Sequence, residues 1–244
     1  MADKFSTDFQ IYTNQADVLK RARPGALFGL FIEAASMHAN CLGVGHKDLQ
    51  EKYNAFWALS KFRMEILTTP SWHQVIKVTT WPSGYNRLFA RRYFVITDTD
   101  NNILAQGASD WVIMNFESRS LCNVADIVGK ITNFNLEEEH IAVNTVKVPL
   151  VKREEAIINS RVAMYSHLDM NNHVNSVHYL DWALDCVDDT YLRQHEVKAV
   201  DINYQHEIAF GSNVELLRKD IDDNCCIVTG IMGDKVSFSA RLKF

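Results

Sequence analysis

The sequence lacks any run of about 18 uncharged apolar residues, the minimum for crossing a bilayer as one helix. Even its most apolar stretch, Gly25 to Cys41, is interrupted by Glu33 and His38. Met1 to Phe9 carry no apolar signal region, so the expectation is a soluble, cytoplasmic protein with no membrane partner. A disulfide framework and a zinc site are equally unsupported. The five cysteines, Cys41, Cys122, Cys186, Cys225 and Cys226, are odd in number and contain no CxxC pair, which predicts buried thiols and no metal. Surplus positive charge is missing too: the formal net charge is -5, against a globally basic binder of nucleic acid. What is present is 47% hydrophobic against 23% charged residues over 244 positions. That excludes general disorder and suffices for one large domain or two of roughly 120 residues, each with its own core.

The chain reads twice. Polar-apolar alternation over Lys4 to Tyr12 predicts a strand, and Leu27, Phe28, Phe31, Ile32, Ala35 and Leu42 then recur at helical spacing after Pro24-Gly25. Four β-rich segments follow: Trp57 to Leu67, His73 to Trp81, Leu88 to Thr99 and Ile103 to Met114. Turns are expected near Pro70, at Pro82-Ser83-Gly84 and over Asp98 to Asn102. The order returns as a short strand, Arg161 to His167, a polar loop, and a helix bearing Val174, Val177, Leu180, Leu184 and Val187 on one face. Val197 to Ile208, Val214 to Lys219, Cys225 to Ile231 and Val236 to Phe244 then supply four more strands.

An antiparallel sheet that must bury an apolar helix does so by curling around it. The expectation is therefore an α+β tandem hot dog fold, two antiparallel sheets each wrapped around a central helix, with the sheets pairing edge to edge. Boundaries fall at 1–130 for the first unit, 131–158 for a link and 159–244 for the second. The acidic run Glu137-Glu138-Glu139 within the link reads as a solvated face.

Polar groups crowd the loop entering the second helix, from Ser166 through Asp169, Asn171, Asn172, His173 and Asn175. Unpaired N–H groups and the positive end of the helix dipole favour negative charge there, and a thioester carbonyl would find donors for its developing oxyanion. Simple capping by Asn171 or Asn172, with Asp169 against the dipole, explains only part of the cluster. Asp169, Asn171, His173, Val174, Asn175 and Tyr179 match, position by position, the D-x-N-x-H-V-N-x-x-x-Y signature of acyl-acyl carrier protein (acyl-ACP) thioesterases. Asn203 to Ile208 keeps the tyrosine and second glutamate of a family E-Y-x-x-E-C stretch, as Tyr204 and Glu207. In the first half, Trp81 through Arg91-Arg92 and Trp111 through Leu121 resemble two further family segments. Ile208 stands where some plant members have cysteine, so a cysteine nucleophile is absent at that place.

The resemblance implies hydrolysis of fatty acyl-ACP to free fatty acid, with acyl carrier protein as partner, no cofactor, and Asp169, Asn171, His173 and Glu207 as catalytic residues. In the preferred assignment Glu207 and His173 activate water, Asn171 orients His173 or the thioester, and Asp169 holds the loop. A second route makes Asp169 a nucleophile. The aromatic side chains Phe28, Phe31, Phe56 and Trp57 are candidates for the acyl chamber in the first unit. Arg87, Arg91, Arg92, Lys147, Lys152 and Arg153 are candidates for contact with an acidic carrier. Acyl-CoA hydrolysis, dehydration of a 3-hydroxyacyl thioester and mere acyl binding stay open, as does a homodimer.

Overall fold

A computed structural model describes residues 4–130 and 141–244. Its contacts divide the chain into two units, Met1–Ala22 with Leu27–Thr145, and Arg23–Ala26 with Val146–Phe244.

In the first unit, the alternating start of the chain forms β1 (Phe5–Gln10); Pro24 opens the long apolar helix α1 (Pro24–Cys41), which belongs to this unit from Leu27 onward. Proline suits that place because its missing N–H would have no partner in a first turn. There follow α2 (His46–Tyr53), β2 (Ala55–Ile66), β3 (Val75–Tyr85), β4 (Ala90–Thr97), β5 (Ile103–Asn115) and α3 (Val124–Val128). The strands order as β1-β3-β4-β5-β2 and every pair is antiparallel. Phe28 and Phe31 of α1 are fully buried, with ring centroids 4.2 Å from Phe62 on β2 and 4.9 Å from Phe94 on β4. A Cβ on Gly107 of β5 would lie 3.2 Å from the Phe31 ring, so glycine there lets the helix sit close to the sheet. Each such buried ring contributes about 1.5–3 kcal/mol relative to exposure.

The second unit repeats the plan with β6 (Ile157–Val162), α4 (Ser176–Leu184), α5 (Asp189–Gln194), β7 (Ala199–Tyr204), β8 (Asn213–Asp222), β9 (Cys225–Met232) and β10 (Lys235–Lys243). Its order, β6-β8-β9-β10-β7, is that of the first unit strand for strand, and again antiparallel. Tyr179, Leu180, Trp182 and Ala183 form the buried face of α4, and the Tyr179 ring lies edge-on to Phe238 of β10 at 5.2 Å. Each unit is thus a five-stranded antiparallel sheet with its own helix, the tandem hot dog arrangement.

Several expectations need correction. Pro82-Ser83-Gly84 is no turn: β3 runs on to Tyr85 through a bulge, which absorbs the proline. The second unit's first strand, expected at Arg161 to His167, lies at Ile157–Val162, its first two residues in the segment assigned to the link, because pairing with β8 fixes it there. Tyr165–His167 is instead a 3-10 turn. The strand read as Val197 to Ile208 ends at Tyr204, leaving Glu207 in the following loop.

The link is also more tightly held than a connector. Val143 packs with Trp81, Tyr93 and Ala108 in the first unit. In the second, Val148 and Val151 pack on Leu217 and Ile227, while Asn203 accepts from Val148 N–H at 2.8 Å and donates to the Val146 carbonyl at 2.9 Å. Thr229 accepts from Val151 N–H at 2.9 Å. Glu137-Glu138-Glu139 lies outside the described residues.

Candidate active site

The polar loop before α4 is a closed backbone turn. Asp169 N–H donates to the His173 carbonyl at 2.9 Å, Asn172 N–H to the Asp169 carbonyl at 3.0 Å, and Asn172 takes a left-handed φ of 61°, which asparagine tolerates better than most residues. Asp169 Oδ1 accepts from Asn171 N–H at 2.8 Å, so one carboxylate oxygen is spent on the turn itself. The other, Oδ2, hydrogen-bonds to none of the described residues. The cap of α4 is neither Asn171 nor Asn172 but Asn175, whose Oδ1 accepts from Val177 N–H at 3.0 Å.

That turn delivers His173 to Glu207. An antiparallel bridge joins His173 to Ala209, and Val174 N–H donates to the Ile208 carbonyl at 2.8 Å. The segment after β7 therefore lies alongside the loop, with His173 Nε2 3.6 Å from Glu207 Oε2. Their side chains are 30% and 39% exposed, open enough to meet a substrate. The Asn171 carboxamide is half-buried and hydrogen-bonds to none of the described residues, so it is available to a substrate oxygen rather than engaged in orienting His173. His206 turns away, its Nδ1 2.7 Å from the Val236 carbonyl.

Beneath the site, Tyr179 Oη accepts from Ile208 N–H at 3.2 Å. Burial pushes its phenol far above the ordinary range; the Ile208 hydrogen bond opposes this and the charge of Asp169 adds to it. Ile208 is fully buried. Met164, Tyr165, Met170 and Phe210, all on the loops that carry the site, are by contrast exposed. Among the described residues no cluster of histidine, cysteine, aspartate or glutamate has the makings of a metal site.

Family models match both units: residues 2–131 fit the acyl-ACP thioesterase N-terminal domain and residues 151–238 its C-terminal domain. The chain belongs to the acyl-ACP thioesterase family. An oleoyl-acyl carrier protein thioesterase of Coriandrum sativum is 26% identical over 94% of this chain and 66% of its own length. A palmitoyl-acyl carrier protein thioesterase of Gossypium hirsutum is 27% identical over 90% of this chain and 56% of its own. The chain thus spans less than two thirds of either relative. Among solved structures, an acyl-ACP thioesterase from Bacteroides thetaiotaomicron superposes with a TM-score of 0.90 at 24% identity, covering 99% of this chain and 97% of that one. The 12:0-ACP thioesterase from Umbellularia californica gives 0.88 at 22% identity, over 98% and 96%.

In this member of the acyl-ACP thioesterase family, the acyl-chamber candidates and Arg87, Arg91 and Arg92 lie in the first unit, and Lys147, Lys152 and Arg153 in the second. Phe28 and Phe31 fill the core around α1. Trp57 is half-buried, donates from Nε1 to the Val44 carbonyl at 2.9 Å, and packs on the cluster of Leu49, Ile113 and Val124. Arg91 and Arg92, expected to present charge to a carrier, are half-buried and hydrogen-bonded within the first unit. Arg91 clamps Asp110 through Nε at 2.8 Å and a second nitrogen at 3.1 Å, and also reaches Asn144 and Thr145. Arg92 donates to Thr80 Oγ1 at 3.1 Å and to His38 Nδ1 at 3.0 Å, and burial lowers its guanidinium pKa to about 10. Neither role is visible in the sequence, because an arginine's burial is decided by its partners. Arg153 is paired with Glu215 at 2.7 Å; Arg87, Lys147 and Lys152 are exposed.

Proposed function

We propose that the chain hydrolyses the thioester of fatty acyl-acyl carrier protein, releasing a free fatty acid. The observation that carries the reading is the pairing of His173 with Glu207 at 3.6 Å, beside an uncommitted Asn171 carboxamide. Family membership and the carrier-bound substrates in the plant relatives' names support it. Thioester hydrolysis needs an activated nucleophile, a donor for the tetrahedral oxyanion and a proton for the thiolate, the last a mild demand since thiols ionise near ~8.5. Glu207 and His173 together accept the proton of an attacking water. Asn171 donates to the oxyanion, and protonated His173 returns the proton to the departing sulfur. Asp169 holds the loop. The exposed Met170 and Phe210 give the approach an apolar rim suited to an acyl chain.

The proposal extends to unit 1 as the measure of chain length, through Phe28, Phe31 and Trp57, and to a cytoplasmic place in fatty acid biosynthesis. Association of two copies is read by sedimentation. The central test is thiol release and mass-spectrometric identification of acids from a ladder of acyl carrier protein thioesters, with the matching acyl-CoA series beside it. Saturated acyl-ACP cleaved in preference to acyl-CoA supports the reading. Equal rates would make it an acyl-CoA thioesterase, and water loss from 3-hydroxyacyl thioesters without thiol release would make it a dehydratase.

A further inference from the structure

Two tyrosines tie the helix-side and strand-side halves of the site together in opposite directions. Tyr179, on α4, accepts from the N–H of Ile208, the residue after Glu207, at 3.2 Å. Tyr204, at the end of β7 three residues before Glu207, donates to the carbonyl of Ser176 in the first turn of α4 at 2.9 Å. The rings meet edge to face, with centroids 5.3 Å apart. Between these two bonds the chain must carry Glu207, while the Val174 N–H and the His173–Ala209 bridge fix the facing strand of the loop. A shift of either half relative to the other would break one of these bonds.

We propose that Tyr179 and Tyr204 are positioning residues for the reaction above, a crossed brace that sets the His173–Glu207 separation. The inference rests on that functional reading for its activity readouts, though not for its structural one. Neither hydroxyl enters the chemistry: Tyr179 receives a backbone N–H and Tyr204 gives to a backbone carbonyl. Burial holds both phenols protonated, so the brace keeps its bonds across the working pH range. Substitution by phenylalanine keeps the ring contacts and removes only the bond.

The test compares Tyr179→Phe, Tyr204→Phe and the double variant with Tyr191→Phe, which loses a tyrosine-to-carbonyl bond on α5 to Asp223. Turnover and KM are measured on an acyl carrier protein thioester across pH, beside Tm and the NMR titration of His173. Each single variant should lose roughly tenfold in kcat and the double variant about 10²-fold, since small misplacements of reacting groups cost that much. KM should stay within about twofold of the parent. As the carboxylate withdraws, the His173 midpoint and the acid limb of kcat should move to lower pH, because a nearby negative charge favours the imidazolium. Tyr191→Phe should move neither. Parental kcat and an unmoved His173 midpoint in the double variant would overturn the brace, as would equal losses in Tyr191→Phe. A parent that releases no thiol would instead overturn the functional reading, and the His173 titration would still judge the brace.

Discussion

The turn Asp17–Ala22 before α1 and the turn Asp169–Val174 before α4 share one backbone and differ in their chemistry. Asp17 N–H donates to the Arg21 carbonyl at 2.7 Å, and Lys20 N–H to the Asp17 carbonyl at 3.0 Å. Asp169, His173 and Asn172 make the same two bonds 152 positions later. Lys20 and Asn172 both adopt a φ of 61°. Ala22 N–H donates to the Pro70 carbonyl as Val174 N–H does to that of Ile208, which aligns Thr69 with Glu207. Among the differences, three replace the groups assigned to the chemistry: Leu19 for Asn171, Arg21 for His173 and Thr69 for Glu207. In the first unit, Arg21 folds back on Asp17, Nε to Oδ2 at 2.8 Å. The aspartate is common to both turns, and in both its Oδ1 accepts a backbone N–H within the loop. A residue retained where the other groups are absent serves the turn first, which favours the route in which water, not Asp169, attacks the thioester.

The comparison breaks most sharply at the positions that differ. His173→Ala and Glu207→Ala should each lower kcat/KM by roughly 10² to 10⁴, the usual worth of a positioned acid-base group, with Tm little changed at these partly exposed sites. Arg21→Ala should leave kcat/KM untouched. A comparable loss there, without unfolding, would mean that the first turn also does chemistry. Asn171→Leu, which installs the first unit's residue, should cost about 10² in kcat, the effect of removing one oxyanion donor. An effect on KM alone would reassign Asn171 to substrate binding.

Asp169→Asn sharpens the comparison further. Asparagine keeps the oxygen that accepts from Asn171 N–H, so the water route predicts a loss under about tenfold, whereas a nucleophilic carboxylate predicts near-complete loss. Single turnover in oxygen-18 water gives a second readout, since only covalent attack labels Asp169. In the first unit, Asp17→Asn should lower stability by about 1 kcal/mol, the upper worth of an i,i+4 ion pair near the surface, and leave turnover unchanged.

The doubling of the fold was legible because each unit switches from period 2 to helical spacing and back, with turn residues between. α2 and α5 were not, because they bury little: Leu49 in one and no residue in the other, so neither carries an apolar stripe. The start of α4 at Ser176, 152 residues after that of α1 at Pro24, was not legible to the residue, because three crowded asparagines obscured which of them caps it. His173 and Glu207 were legible only through the resemblance, since their meeting depends on a bridge between segments over thirty residues apart. The clamp of Asn203 and Thr229 on the link, and the inward turn of Arg92, left no trace in spacing or charge. Side chains that serve a remote backbone look like any other polar residue on a strand.

The smallest expected effect concerns the residue that closes the 3-10 turn in each unit, Thr13–Gln15 in the first and Tyr165–His167 in the second. In the first unit Gln15 Oε1 accepts from Tyr12 N–H at 2.9 Å; in the second His167 Nδ1 accepts from Met164 N–H at 3.0 Å. Glutamine does this at any pH, but a protonated imidazole has no lone pair left on Nδ1. Burial lowers the His167 pKa, the neighbouring His178 lowers it further, and Asp181 opposes both. With the folded value below the unfolded one, the native state binds fewer protons. The contribution to stability is therefore present above the ordinary imidazole range, near ~6.5, and is lost as pH falls through the lowered value. His167→Gln, which copies the first unit, should remove that dependence, so that the Tm difference between variant and parent grows as the solution is acidified below about 6.5. The Asn175 N–H, bound to the His167 carbonyl at 2.8 Å, should report the same change by faster hydrogen exchange in the parent alone. A Tm difference independent of pH would show that His167 closes its turn no differently from Gln15.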